Sequence, residues 1–127
     1  MINSTVVASG TITSPTLVFT STTTGAPLGG LVTGQTSAIT TIILCNVLAP
    51  NLTDETINSA NVNIYLVSPT KGTTVGTGTL VVSNLIVPAG ETVFFSEERV
   101  VLDSGDQIWI GSNNASAITA TVSSLPV

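Results

Sequence analysis

Short runs of β-branched and apolar residues, broken by Gly, Pro, Asn and Asp, recur along the whole chain. No segment combines apolar residues at three-and-four spacing with good helix formers between them. Such a pattern predicts strands throughout. Residues 37–46 are the strongest strand, and their apolar middle predicts a central strand covered on both faces. Residues 61–67 begin with strict polar–apolar alternation, the mark of a strand with one buried face. Further strands are expected at 16–20, 79–87, 91–95, 99–102, 107–111 and 117–123. Residues 5–12 read either as a first strand or as part of an extended arm.

Turn chemistry fills the intervals. Residues 25–30 hold three glycines and Pro27, a clear breaker. Pro88, Ala89 and Gly90 make a tight reversal, and Asp103, Ser104, Gly105 and Asp106 make a second turn. Residues 47–60 read as a loop, with one short helical turn beginning near Asn51. Glycines 72, 76 and 78 mark a hairpin tip. The predicted fold is all-β: an antiparallel β-sandwich of about eight strands, jelly-roll or immunoglobulin-like. It forms a single domain over residues 16–127, preceded by an N-terminal arm over residues 1–15.

Composition narrows the function classes. Charged residues are 7% of the 127, against about 25% in ordinary soluble domains. Thr, Ser, Asn and Gly take their place. Hydroxyls and amides are cheaper to bury than ions when they find hydrogen bonds, so such a surface is suited to being covered by a neighbouring subunit. Two basic residues and a net charge of −5 cannot supply the clustered cations that nucleic acid or an anionic membrane requires. No apolar run approaches the roughly 18 residues of a membrane span. Residues 1–5 lack the basic and apolar regions of a signal peptide, so synthesis and assembly in the cytosol are expected.

Candidate chemistry is sparse. There is no histidine, and Cys45 stands alone in an apolar run. No catalytic nucleophile pairs with a histidine, zinc sites of Cys and His are excluded, and Cys45 reads as a small buried hydrophobe. The pairs Asp54–Glu55 and Glu97–Glu98 are neighbours in sequence, which point to opposite faces of a strand. Asp103 and Asp106 flank a glycine and could contact a calcium ion, though the spacing is not that of a calcium loop. No catalytic residue, metal or cofactor is expected. Trp109 lies on the face opposite Ile108 and Ile110. With the isoleucines inward, the indole is free to meet a partner or ligand; a strand covered on both faces would bury it.

Five stretches carry a resemblance. Ser37 to Asn46 is a Thr/Ile strand ending in Cys45–Asn46, and Val62 to Val67 is a strand ending in Tyr65–Leu66–Val67. Leu85 to Thr92 contains Pro88–Ala89–Gly90–Glu91, and Val101 to Ile108 contains Leu102, Gly105–Asp106 and Ile108. Ala117 to Val122 is a final Thr/Val strand. Together, over residues 37–124, they resemble small β-sandwich proteins encoded among the virion genes of tailed bacteriophages, cyanophages especially. The Pro-Ala-Gly-Glu and Gly-Asp elements also resemble cupin turns, but the metal-binding histidines of those enzymes are missing.

The resemblance implies a non-enzymatic virion protein, made in the host cytoplasm. The role expected is a capsid decoration (cement) protein, a homotrimer clamping the major capsid protein or other virion proteins. Ile2, Val6, Val7 and Ile12 of the arm, with Tyr65 and Trp109, are the expected interface residues. The alternatives are a tail, neck or fibre component, or a carbohydrate-binding module using Trp109 or Tyr65 beside the acidic turn.

Overall fold

The computed structural model describes residues 2–21, 36–96 and 100–126, and in it the β-branched runs become nine strands. These are β1 (Ile2–Val7), β2 (Thr16–Thr20), β3 (Ser37–Asn46), β4 (Ala60–Val67), β5 (Leu80–Val87), β6 (Thr92–Phe95), β7 (Val100–Leu102), β8 (Gln107–Ser112) and β9 (Ile118–Pro126). The helical feature among the described residues is one 3-10 turn, Pro69–Lys71, closed by Gly72 at φ +79°. The breaker at 25–30 lies outside the described residues.

All pairing is antiparallel, in two sheets. The first has the order β1-β9-β3, with β6 and β7 both lying along the far edge of β3. β6 pairs with Ile42 to Cys45 and β7 with Ser37 to Ile39, so the two are one edge strand in two pieces. The second sheet has the order β2-β8-β4-β5. With β6 and β7 counted together, each sheet has four strands, and the chain crosses between the sheets at every connection except β4 to β5, in jelly-roll order. This topology decides between the two sandwich types expected.

The turns follow from their residues, but their destinations do not. Glu91 N–H donates to Pro88 O (3.1 Å) across Gly90 at φ +77°, and Asp106 N–H donates to Asp103 O (3.0 Å) across Gly105 at φ +91°. Both place glycine where the turn needs positive φ. Each is a corner leading from one sheet to the other rather than a hairpin within a sheet. The hairpin proper joins β4 to β5, with glycines 72, 76 and 78 in its connection.

The core fills the space between the sheets. Leu44, Ile108, Ile110, Ile118, Val7, Val62, Val87 and Val122 are fully buried there. Buried polar groups pin both ends of β3. At its start, Ser21 Oγ donates to Ser37 Oγ (3.0 Å). At its end, Asn46 Nδ2 donates to Val87 O and Asn58 O, each at 2.9 Å, and Asn46 Oδ1 accepts from Leu48 N–H (3.1 Å). One amide therefore ties β3 to the end of β5 and to the following loop. β3 is central as expected, but it is covered on one side only: Ile39, Ile42 and Leu44 are buried, while Ile43 and Cys45 on the other side are half-buried.

The first strand forms over Ile2–Val7, three residues earlier than the 5–12 expected. It pairs with β9 of its own chain, from Ile2 opposite Ser123 to Val7 opposite Ile118. Residues 8–15 then cross to the outside of the second sheet. A Cβ on Gly111 would lie 2.2 Å from Ile12 O, so only glycine lets the loop backbone rest on β8.

Candidate interface

The outer faces of the two sheets share one property. None of the nine strands contains Asp, Glu, Lys or Arg. The charged groups among the described residues sit in the connections: Asp54, Glu55, Lys71, Glu91, Asp103 and Asp106.

The first sheet presents a continuous neutral face. Register places Val6, Thr119, Cys45 and Thr92 in one row across β1, β9, β3 and β6, and Ser4, Thr121, Ile43 and Phe94 in the next. Leu125, Ala38 and Val101 make a row near the other end. Ile2, Val6, Phe94, Val101 and Leu125 are each at least 50% exposed. The hydroxyls between them hydrogen-bond one another. Ser4 Oγ and Thr121 Oγ1 are 3.0 Å apart, and Thr40 Oγ1 donates to Ser123 O (3.1 Å) or Ser123 Oγ (3.0 Å). Groups already paired across strands lose less on leaving water, and no ion has to be dehydrated when this face is covered.

The second sheet's outer face is partly covered by its own chain. Leu17, Trp109, Tyr65 and Leu80 form a row across its four strands. The loop over Gly111 reaches this row. Tyr65 OH donates to Ile12 O at 3.5 Å and accepts from Asn63 Nδ2 at 3.1 Å. Trp109 is half-buried, and its Nε1 donates to Gln107 Oε1 at 2.9 Å.

The residues expected at an interface divide accordingly. Ile2 and Val6 are exposed on the first sheet's outer face. Val7 is fully buried in the core, because it is the inward residue of β1. Tyr65 is buried at 4% exposure beneath the loop that carries Ile12, so it offers no free stacking surface. Trp109 points outward as its isoleucine neighbours required. Cys45 is half-buried on the outer face of the first sheet rather than in the core, because Leu44 and Asn46 take the inward positions. Phe94, Val101 and Leu125 were missed as surface residues. They stand on the outer face by strand parity, a signal that becomes readable once the inward partners Phe95, Leu102 and Ser124 are fixed.

The acidic turn serves the fold. Asp106 Oδ1 accepts from Ser68 Oγ (2.5 Å) and its Oδ2 from Asp103 N–H (3.0 Å). Asp103 Oδ2 accepts from Lys71 Nζ at 3.1 Å in an exposed ion pair, which holds the Lys71 ammonium above its usual pKa. Asp54 Oδ1 takes both the Thr56 hydroxyl (2.7 Å) and the Thr56 N–H (3.0 Å), which lowers its pKa. Glu55 and Glu91 line an open groove of about 530 Å³ with Leu52 and Ile86. Between the sheets, on the flank of β5 and β6, a cleft of about 250 Å³ is lined by side chains such as Ile39, Ile64, Phe95 and Val100, with no titratable group. Among the described residues no three Cys, Asp or Glu side chains gather as a metal-ligand group, and no helix is long and apolar enough to cross a membrane.

No protein-family model, curated protein or solved structure matches the chain.

Proposed function

We propose that this protein is a non-enzymatic structural component of a phage virion, a capsid decoration protein that stabilises the head by bridging capsid subunits. One observation carries the reading: an ion-free outer sheet face on which Phe94, Val101, Ile2, Val6 and Leu125 stand exposed among mutually bonded hydroxyls. Apolar patches of this kind on soluble proteins mark interaction sites. Covering it removes apolar area from water at about 25 cal/mol per Å², without the penalty of dehydrating charge. A jelly roll supplies the two-layered core on which such a face is held.

The mechanism is linkage. A protein that binds two neighbouring capsid subunits only while they are adjacent adds its binding free energy to the assembled shell. Separation of the subunits by the pressure of packaged DNA then requires that contact to break as well. The proposed partner is the major capsid protein, and the working form is an oligomer of this chain.

The test compares heads carrying and lacking the protein as they are heated, following DNA release with an intercalating dye. Release at a higher temperature from decorated heads, lost with Phe94→Asp, is the expected result. Equal release temperatures, with the protein absent from the head surface by antibody labelling, would overturn the proposal. Labelling on the tail or neck would move the same assembled role to that part of the particle.

A further inference from the structure

We infer that two copies of this chain pair edge to edge through β1, antiparallel and two-fold, in a register centred on Ser4. The inference deepens the assembly reading above by naming the contact between copies.

A sandwich has four sheet edges, and exposed edges are templates for pairing with another chain. Three of the four are guarded here. β2 carries a bulge between Leu17 and Phe19. β5 breaks register twice against β4, and its Asn84 sits at φ +53°. The edge along β3 is split into β6 and β7, and the four residues between them in sequence include Glu97, Glu98 and Arg99. Bulges, interruptions and charges are the devices that stop edges from pairing.

β1 has none of them. Its six residues keep one register with β9 from Ile2–Ser123 to Val7–Ile118, with no bulge, proline or charge. Among the described residues nothing pairs with its second edge. Beside it runs the shallow groove between β1 and β2, lined by Ile2 to Thr5 and Leu17 to Thr20. Both layers of the sandwich therefore reach the same flank, and a contact there is two sheets deep.

The occupant that fits is a second copy. Each chain carries −5, and its described acidic groups lie in connections at the two ends of the sandwich, so β1 lets two like-charged molecules meet where neither has an ion. The strand is also self-complementary. Opposed residues in a sheet share a face, so Ile2, Ser4 and Val6 of one copy must oppose the same set of the other. Centring on Ser4 sets Ile2 against Val6 twice and Ser4 against Ser4. The two first sheets then become one continuous sheet, and their neutral outer faces merge. This two-fold pairing replaces the trimer expected from sequence.

The test is the mass of the purified full chain by light scattering, over a range of concentration. The expected value is twice the 12.8 kDa chain. Ser4→Lys should raise the dissociation constant roughly tenfold or more, since it opposes like charges at the centre of the pair. Ser83→Lys, on the guarded β5 edge, should leave the mass unchanged. Ser4→Cys with oxidised glutathione should cross-link into a covalent pair faster than either Ser83→Cys or the native chain with Cys45 alone. That readout decides the matter should Ser4→Lys fail to fold. A mass of one or three chains, or a Ser4→Cys rate no faster than its controls, would overturn the inference. The measurement uses protein alone, so failure of the head experiment leaves it standing, and a solitary chain that still stabilises heads would refute only the pairing.

Discussion

Asn46 offers the sharpest test of the physical account, because a single buried amide holds three separate segments. Its side chain is fully buried and uses both ends: two donations to Val87 O and Asn58 O, and one acceptance from Leu48 N–H. Its backbone completes the corner, donating to Glu91 O (2.9 Å) and accepting from Gly90 N–H (3.0 Å). Asn46→Ala removes the bonds to two carbonyls and one N–H. At about 1 kcal/mol for each bond lost, and more where the orphaned group stays dry, the expected loss is about 3–5 kcal/mol. That is a large fraction of the 5–15 kcal/mol that typically stabilises a domain. Asn46→Asp keeps the shape but turns an acceptor oxygen toward both carbonyls and buries a charge. Burial and the facing carbonyls raise the pKa of the new carboxyl above its unfolded value of about 3.9. Its deficit relative to the native chain is therefore smallest below the unfolded pKa, where the protonated acid can donate one bond, and grows as pH rises through the folded value. Urea unfolding of the three proteins at acidic and neutral pH measures both effects. A loss under about 1 kcal/mol for Asn46→Ala, or a deficit for Asn46→Asp that does not change with pH, would show that the corner is held by something else.

Two further outcomes follow from the geometry. Gly111→Ala drives a Cβ into Ile12 O; the loop must lift off β8, at about 2–4 kcal/mol, and Tyr65 should gain exposure, read by its solvent accessibility in NMR or by quenching. Thr56→Ala removes the hydroxyl that chiefly lowers the Asp54 pKa. The Asp54 titration should then move up toward the ordinary carboxylate range, and the small stabilisation that Asp54 loses as pH falls should shrink.

Much of the sandwich is legible in the residues because its strands are short, β-branched and punctuated. β3 matches its expected bounds, Ser37–Asn46, since a long apolar run ends at a polar residue that the corner needs. Trp109 points outward because Ile108 and Ile110 fix the parity of β8. What local pattern does not encode is which sheet a strand joins. Pro88–Glu91 and Asp103–Asp106 have the chemistry of tight turns whether the next strand folds back beside its predecessor or crosses the core. The fate of Tyr65 was equally hidden. Its burial depends on Ile12, 53 residues away in a loop, and on Gly111 in the neighbouring strand, whose meaning is steric. Cys45 looked internal because its neighbours are apolar, yet the period of two allots the interior to Leu44 and Asn46.

The restriction of ions to the connecting segments has a consequence for how any strand-borne contact responds to its surroundings. Dissolved electrolyte weakens attractions between charges, and here it has no such attraction to weaken. Temperature is the variable that matters instead. Association through these faces should carry a negative heat-capacity change and loosen in the cold, where the drive to exclude water from apolar groups fades.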